Sequence, residues 1–306
     1  MNALRGHFTG LRPGAILAVW VLAAGCWLSG LAGPLAGEGG RPERTALWPP
    51  ASLPAGEGFP ENAYVSVYRP SHPNGTAVVI CPGGGYGALN LDIEGHETAR
   101  WLDRNGIVGV VLEYRLPHGD PSIPLRDARQ AIRFVRAHAA EWSVHPDRVG
   151  VLGFSAGGHL ASMAAILEEE KAAPGSGSGM EGSGRPDFAV LVYPLISMGS
   201  FTDAGSRQNL LGLSPSAERI EAYSTHRHVT SGSPPVFLVH ARDDRIVPVE
   251  NSWLMLESIK ARGVPAALCE FPAGGHGLGY GGSLWEEWQG RALIWMRRQG
   301  FVRGEP

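Results

Sequence analysis

One serine, one histidine and a pair of adjacent aspartates carry the chemistry this sequence can do. Ser155 stands in Gly153-Phe154-Ser155-Ala156-Gly157-Gly158, directly after the apolar run Val149-Gly150-Val151-Leu152. A serine hydroxyl is a poor nucleophile at neutral pH. It needs a base to take its proton and a third group to orient that base. His276, in Gly274-Gly275-His276-Gly277, is the candidate base. The orienting carboxylate is sought in His240-Ala241-Arg242-Asp243-Asp244-Arg245-Ile246-Val247-Pro248, where Asp243 and Asp244 compete. Asp243 is the expected partner from its place midway between His240 and Ile246, with Asp244 shaping the turn.

Acyl transfer also needs preorganised N–H donors for the oxygen that becomes negative. The run Cys81-Pro82-Gly83-Gly84-Gly85-Tyr86 follows an early apolar stretch, and glycines let the backbone come close to a substrate. Gly84 and Gly85 are the expected donors on that side, and Ala156, next after the nucleophile, supplies another. Tyr86 is the candidate substrate contact. Its ring, like that of Trp285, could stack on a sugar, with ordinary packing as the competing reading for both.

These residues need a scaffold that brings distant segments together. A strand ending in Gly-x-Ser-x-Gly and turning straight into a helix strains the central residue, so its neighbours must be small. Other strands are read at Tyr64–Tyr68, Thr76–Cys81, Ile107–Leu112, Phe188–Tyr193, Pro235–His240 and Ala266–Phe271. Helices are read between them, at Ile93–Asn105, Pro124–Trp142, His159–Glu170, Glu250–Arg262 and Leu284–Arg298. In the second, Leu125, Ala128, Ile132, Val135 and Ala139 fall on one face. Short buried strands alternating with helices predict an α/β fold, a mostly parallel sheet covered on both faces. Ligands in such sheets bind at the carboxyl ends of the strands. Residues 194–233 are expected to lie irregularly above the sheet, and the Gly/Ser-rich stretch 171–186 to form a surface insertion. Asp127 is read as a structural first-turn carboxylate.

The chain has 306 residues and a net charge of −3, without a basic stripe, so nucleic acid is not an expected partner. Residues 1–37 read as a targeting segment: Arg5 and Arg12 precede an apolar stretch from Ala15 to Leu31 and then small residues. Cleaved export is the first expectation. A lipidated Cys26 or an uncleaved anchor competes, and a membrane contact is expected only through this segment. Residues 38–60 read as a linker and 61–303 as one catalytic domain. Cys81 and Cys269 sit at the ends of separate strands and are expected to pack as small hydrophobes rather than pair. His226 and His228 lack a third ligand nearby and read as loop residues.

The motifs carry a resemblance. Cys-Pro-Gly-Gly-Gly-Tyr (81–86), Glu-Tyr-Arg-Leu (113–116), Gly-Phe-Ser-Ala-Gly-Gly-His-Leu-Ala (153–161), Val-Tyr-Pro (192–194), Gly-Ser-Arg-Gln-Asn-Leu-Leu-Gly (205–212), the 240–252 segment and Gly-Gly-His-Gly (274–277) stand in one chain. From Tyr64 to Phe301 it resembles the α/β-hydrolase-fold esterases grouped with bacterial acetylxylan and feruloyl esterases. These lie near the hormone-sensitive-lipase-like carboxylesterases. Pro82 departs from the histidine that lipase-like relatives carry. The resemblance implies an α/β-hydrolase fold in a single domain, and a triad of Ser155, Asp243 and His276. Gly84, Gly85 and Ala156 would then be oxyanion donors. It further implies a small-molecule or oligosaccharide ester as substrate, with an acyl-enzyme intermediate and no cofactor or metal. A glycosidase would instead need two carboxylates flanking the scissile bond. A serine peptidase of oligopeptidase type and a non-catalytic module on the same scaffold are the alternatives.

Overall fold

The computed structural model describes residue 42 and residues 44–48, 62–169 and 182–303. Residues 1–37, where the targeting segment was expected, and most of the Gly/Ser stretch lie outside the described residues.

Among the described residues eight strands form one sheet: β1 (Arg44–Ala46), β2 (Tyr64–Tyr68), β3 (Ala77–Cys81), β4 (Val108–Glu113), β5 (Val149–Phe154), β6 (Phe188–Val192), β7 (Val236–Ala241) and β8 (Ala266–Phe271). Their order across the sheet is β1-β2-β4-β3-β5-β6-β7-β8. β1 and β2 run antiparallel at one edge, and every pairing from β4 through to β8 is parallel. This is the mostly parallel α/β-hydrolase sheet expected from the alternation. The β3 sequence Ala-Val-Val-Ile-Cys is buried along its whole length, as are β5, β6 and β7. Helices on both faces explain why these strands are continuously apolar rather than alternating. Each fully buried Val, Leu or Ile contributes about 1.5–3 kcal/mol by leaving water.

The helices are α1 (Thr98–Arg104), α2 (Ser122–Ala137), α3 (Ser155–Ile166), α4 (Ala204–Leu211), α5 (Ala217–Ala222), α6 (Glu250–Ala261) and α7 (Ser283–Arg298). The predicted face is realised within α2, where Ala128, Ile132 and Val135 are buried and Leu125 packs against the same core, while the helix ends at Ala137 rather than Trp142 and Ala139 is buried in the turn that follows. Two buried clusters, one on each side of the sheet, hold the layers together. Cys81 and Cys269 are both free and buried, and three strands separate β3 from β8.

Four expectations need correction. The helix read over 93–105 begins as a π-helical stretch, Leu91–Glu97, before becoming α1. The segment 194–233 is not irregular throughout: it contains α4, α5 and a 3-10 turn, Thr225–His228. The expected linker includes β1, whose Thr45 pairs with Val65, so the sheet begins before residue 61. Asp127 lies past the first turn of α2, because the helix starts at Ser122. Its carboxylate is wholly buried and grips Arg115, with Arg115 Nη2 at 2.6 Å from Oδ1 and the Arg115 backbone N–H at 2.9 Å from Oδ2. Trp48 Nε1 donates to the same Oδ1 at 2.7 Å. The buried pair is therefore saturated with donors and joins the β1 segment, the end of β4 and α2.

Candidate active site

Five neighbouring parallel strands, β3, β5, β6, β7 and β8, end along one edge of the sheet, and each end supplies one part of the site. β3 and β5 pair in register, Cys81 opposite Gly153, so the glycine loop after β3 emerges beside the residue that follows Phe154. That residue is Ser155, with φ 52°, the strained conformation that the flanking glycines predict. A Cβ on Gly157 would run into the carbonyl oxygens of Cys81 and Pro82, and one on Gly153 into that of Gly157. The glycines at these positions thus let the elbow and the glycine loop touch.

His276, in the loop after β8, stands over this elbow. Its Nε2 lies 3.0 Å from Ser155 Oγ and its Nδ1 lies 2.7 Å from Asp244 Oδ2. Because a carboxylate only accepts, Nδ1 carries the proton and Nε2 presents a lone pair to the serine hydroxyl. The orienting carboxylate is Asp244, and the expectation for Asp243 is corrected. Asp243 is exposed, and its Oδ1 accepts the Gly275 backbone N–H at 2.8 Å, so it braces the loop that carries His276. The Asp244 side chain is fully buried. Its Oδ1 accepts the N–H groups of Ile246 and Val247 at 2.9 and 3.0 Å, which aims Oδ2 at the imidazole.

His240, at the end of β7, backs this carboxylate. Its Nε2 donates to Val247 O at 2.9 Å and lies 3.4 Å from Asp244 Oδ2, while Nδ1 accepts from Ser252 Oγ at 2.8 Å. Burial by itself would raise the Asp244 pKa. Hydrogen bonds from His240 and His276, the charge of His276 and the Val247 N–H outweigh it and hold the carboxyl well below the usual range. Asp244 is therefore ionised wherever the imidazole needs it.

The glycine loop is pinned by a residue that sequence reasoning missed. Glu94, buried in the π-helical stretch, accepts the Gly83 N–H on Oε2 at 2.6 Å. Its Oε1 accepts Tyr193 Oη at 2.9 Å and Tyr280 Oη at 2.7 Å. Tyr193 follows β6, and its ring centroid lies 4.7 Å from that of His276. Burial and the Glu94 carboxylate both push the Tyr193 and Tyr280 hydroxyls to higher pKa, so they stay protonated as donors. One carboxylate thereby ties the glycine loop, the residue beside the imidazole and the segment beyond His276. The available signal is the acidic residue among apolar ones in Leu91-Asp92-Ile93-Glu94, a stretch whose helix forms in π register.

With Gly83 committed to Glu94, the amides of Gly84 and Gly85 are among those of the loop that find no acceptor among the described residues. Gly84 has φ 130° and Gly85 φ 63°, and a Cβ on Gly84 would strike Ala88 O, so this course of the loop requires glycine. Ala156 lies in the first turn of α3, where N–H groups have no intrahelical acceptor, and no side chain caps that end. The three expected donors thus remain available.

Tyr86 does not serve as a stacking surface. It is 1% exposed, packs edge-on against Tyr114, and places its hydroxyl 2.8 Å from His159 Nδ1. Trp285 is likewise buried, stacked on Phe154 beneath the elbow.

Known proteins similar to this chain include several esterases. The family model described as BD-FAE matches residues 65–259, which takes in the elbow and the Asp244 turn. An acetylxylan esterase of Xylanibacter ruminicola is 38% identical over 224 residues, covering 72% of this chain and 44% of that protein. Endo-1,4-beta-xylanase B of Butyrivibrio fibrisolvens is 33% identical over 229 residues, covering 73% of this chain and 35% of that protein. The chain thus spans less than half the length of these two curated relatives. Among solved structures, an acetyl ester-xyloside bifunctional hydrolase from Caldicellulosiruptor lactoaceticus superposes with TM-score 0.78 at 36% identity, covering 86% of this chain and 98% of that one. A thermophilic esterase of Thermogutta terrifontis shares the fold, with TM-score 0.67 at 24% identity over 80% of this chain and 92% of that chain.

Proposed function

This chain is a member of the BD-FAE family of α/β-hydrolases, and from that premise we propose that it is a serine esterase releasing acetyl or similar small acyl groups from xylan-type carbohydrates. The observation that carries the reading is the unbroken relay Ser155–His276–Asp244, at 3.0 and 2.7 Å, beside a glycine loop in which the amides of Gly84 and Gly85 are unspent. The names of the acetylxylan esterase and the acetyl ester-xyloside hydrolase relatives support the choice of acyl group and alcohol.

In this reading Ser155 Oγ attacks the ester carbonyl as His276 Nε2 takes its proton. Asp244 holds Nδ1–H and stabilises the imidazolium. The amides of Gly84, Gly85 and Ala156 receive the negative oxygen, where preorganised donors act at the moment charge develops. His276 then protonates the departing sugar oxygen, and water repeats the sequence on the acyl-enzyme. The two buried carboxylates of the site are both committed, Asp244 to the imidazole and Glu94 to three donors. Neither is placed as the free acid and base that glycoside cleavage needs, so ester chemistry is favoured over the glycosidase activity that some relatives' names carry. The targeting pattern of residues 1–37 supports an exported enzyme.

The test is acetate release from acetylated xylan and from p-nitrophenyl acetate, with a fluorophosphonate to label the nucleophile. Ser155→Ala should abolish labelling and lower kcat by roughly 10⁴- to 10⁶-fold. Full activity in that variant ends the reading. Activity on aryl esters alone, with none on acetylated xylan, ends the choice of carbohydrate.

A further inference from the structure

A groove of about 450 Å³ opens where the glycine loop leaves the site, lined by Leu116, His118, Gly119, Gln208, Asn209 and Leu213, with Tyr86 and Gly87 at the loop side. We propose that this groove is the subsite for the alcohol half of the ester and takes the pyranose rings of an acetylated oligosaccharide. The inference rests on the esterase reading and adds the place where the leaving group sits.

Position is the first argument. Asn209 Nδ2 donates to Gly85 O at 2.9 Å, so one wall of the groove is bonded to a residue whose amide faces the developing oxyanion in the reading above. The Gly87 N–H donates to Gly84 O at 3.1 Å, which joins the groove side of the loop to its other candidate donor. A Cβ on Gly83, at the start of the same short loop, would stand 3.1 Å from Ser155 Cβ. Groove and nucleophile are therefore opposite ends of one glycine-rich turn.

The groove is also built in advance. The Gly119 N–H donates to Asn209 O at 2.9 Å, and Arg219 Nη2 donates to Gly119 O at 2.6 Å. Asn209 thus ties α4 to both the glycine loop and the 116–119 turn, and Arg219 of α5 fastens that turn from behind. Preorganisation of this kind lowers the ordering cost of holding a flexible sugar.

Chemistry selects the occupant. The Gln208 amide and the His118 imidazole are exposed and make no hydrogen bond with the described residues. Asn209 keeps its Oδ1 free of the bond it makes through Nδ2. Leu213 is 83% exposed, and Leu116 is half-buried beside it. Amides and an imidazole beside leucines suit a ring with hydroxyls on its rim and C–H groups on its face. The volume falls within the range of small-molecule sites, about 300–1,000 Å³, and far exceeds what a two-carbon acyl group requires.

The experiment measures binding without turnover. In the Ser155→Ala background, the Kd of acetylated xylotriose is measured by calorimetry with and without His118→Ala or Gln208→Ala. Each substitution should weaken binding about 3- to 10-fold, the effect of one lost hydrogen bond of roughly 0.5–1.5 kcal/mol. Leu213→Asp, at the exposed lip, should also weaken it. Kd values unchanged in all three variants overturn the subsite. So does a change in preference among p-nitrophenyl esters of increasing acyl length when the same substitutions are made with Ser155 intact, because the groove would then hold the acyl group. Failure of the esterase reading is seen separately, as absence of acetate release by the enzyme with Ser155 intact.

Discussion

Asp244 Oδ2 lies 2.7 Å from His276 Nδ1, while Asp243, one residue earlier, turns outward and takes the Gly275 N–H at 2.8 Å. Two adjacent carboxylates therefore hold the same loop by different parts, one through the imidazole and one through the backbone. Their substitutions should separate cleanly. Asp244→Asn keeps the shape but favours the wrong imidazole tautomer, and kcat on p-nitrophenyl acetate should fall by about 10³- to 10⁴-fold. Asp243→Asn weakens one exposed bond to a loop amide, and the loss should stay within about 10-fold. Equal losses in the two variants, or the reverse order, would contradict the assignment.

The choice between these aspartates shows where the sequence stops being legible. Chain order Ser, Asp, His and the glycine-flanked elbow place the nucleophile and base, because backbone strain at Ser155 permits few residue types around it. Choosing between Asp243 and Asp244 needs the path of the turn, which counting from His240 does not supply. Only the folded turn separates them: Asp244 accepts the N–H groups two and three residues on, those of Ile246 and Val247. The sheet was legible because its buried strands are continuously apolar. β1 was not, since Arg44-Thr45-Ala46 is short and exposed and is held by pairing to β2 rather than by burial. Tyr86 misled for a related reason. An aromatic beside a glycine loop reads as a binding surface, and only the fold brings His159 to its hydroxyl.

Glu94 should govern the rate through the oxyanion loop. Glu94→Gln retains the volume but replaces one acceptor oxygen with an NH₂ group, so either the Gly83 N–H or the two tyrosine hydroxyls lose an acceptor. A displaced loop costs transition-state stabilisation more than substrate binding. The expectation is a drop in kcat of about 10- to 100-fold with KM changed far less. Affinity for a trifluoromethyl ketone, which forms an oxyanion adduct on the serine, should weaken in parallel. If Glu94 only stabilises the fold, Glu94→Gln will lower Tm while kcat and ketone affinity stay at their original values.

His159 gives the fold a dependence on acid that is separate from catalysis. It is fully buried in α3, and its Nε2 donates to Tyr223 O at 2.7 Å. Nδ1 must then accept from Tyr86 Oη at 2.8 Å, which fixes the neutral imidazole with both nitrogens used. Burial lowers its pKa from 6.5 to about 4, with the Tyr223 carbonyl opposing the shift in part. The unfolded chain therefore binds a proton between pH 6.5 and 4 that the folded chain refuses. Stability rises with pH across that window and is lost as the solution is acidified through it. A shift of this size corresponds to roughly 3 kcal/mol between neutral pH and pH 4. Urea unfolding at pH 7.5 and 4.5 should show this loss, and His159→Gln, which cannot titrate, should show a smaller one by about that amount. An identical acid-induced loss in the two proteins would mean that the imidazole takes up its proton inside the fold.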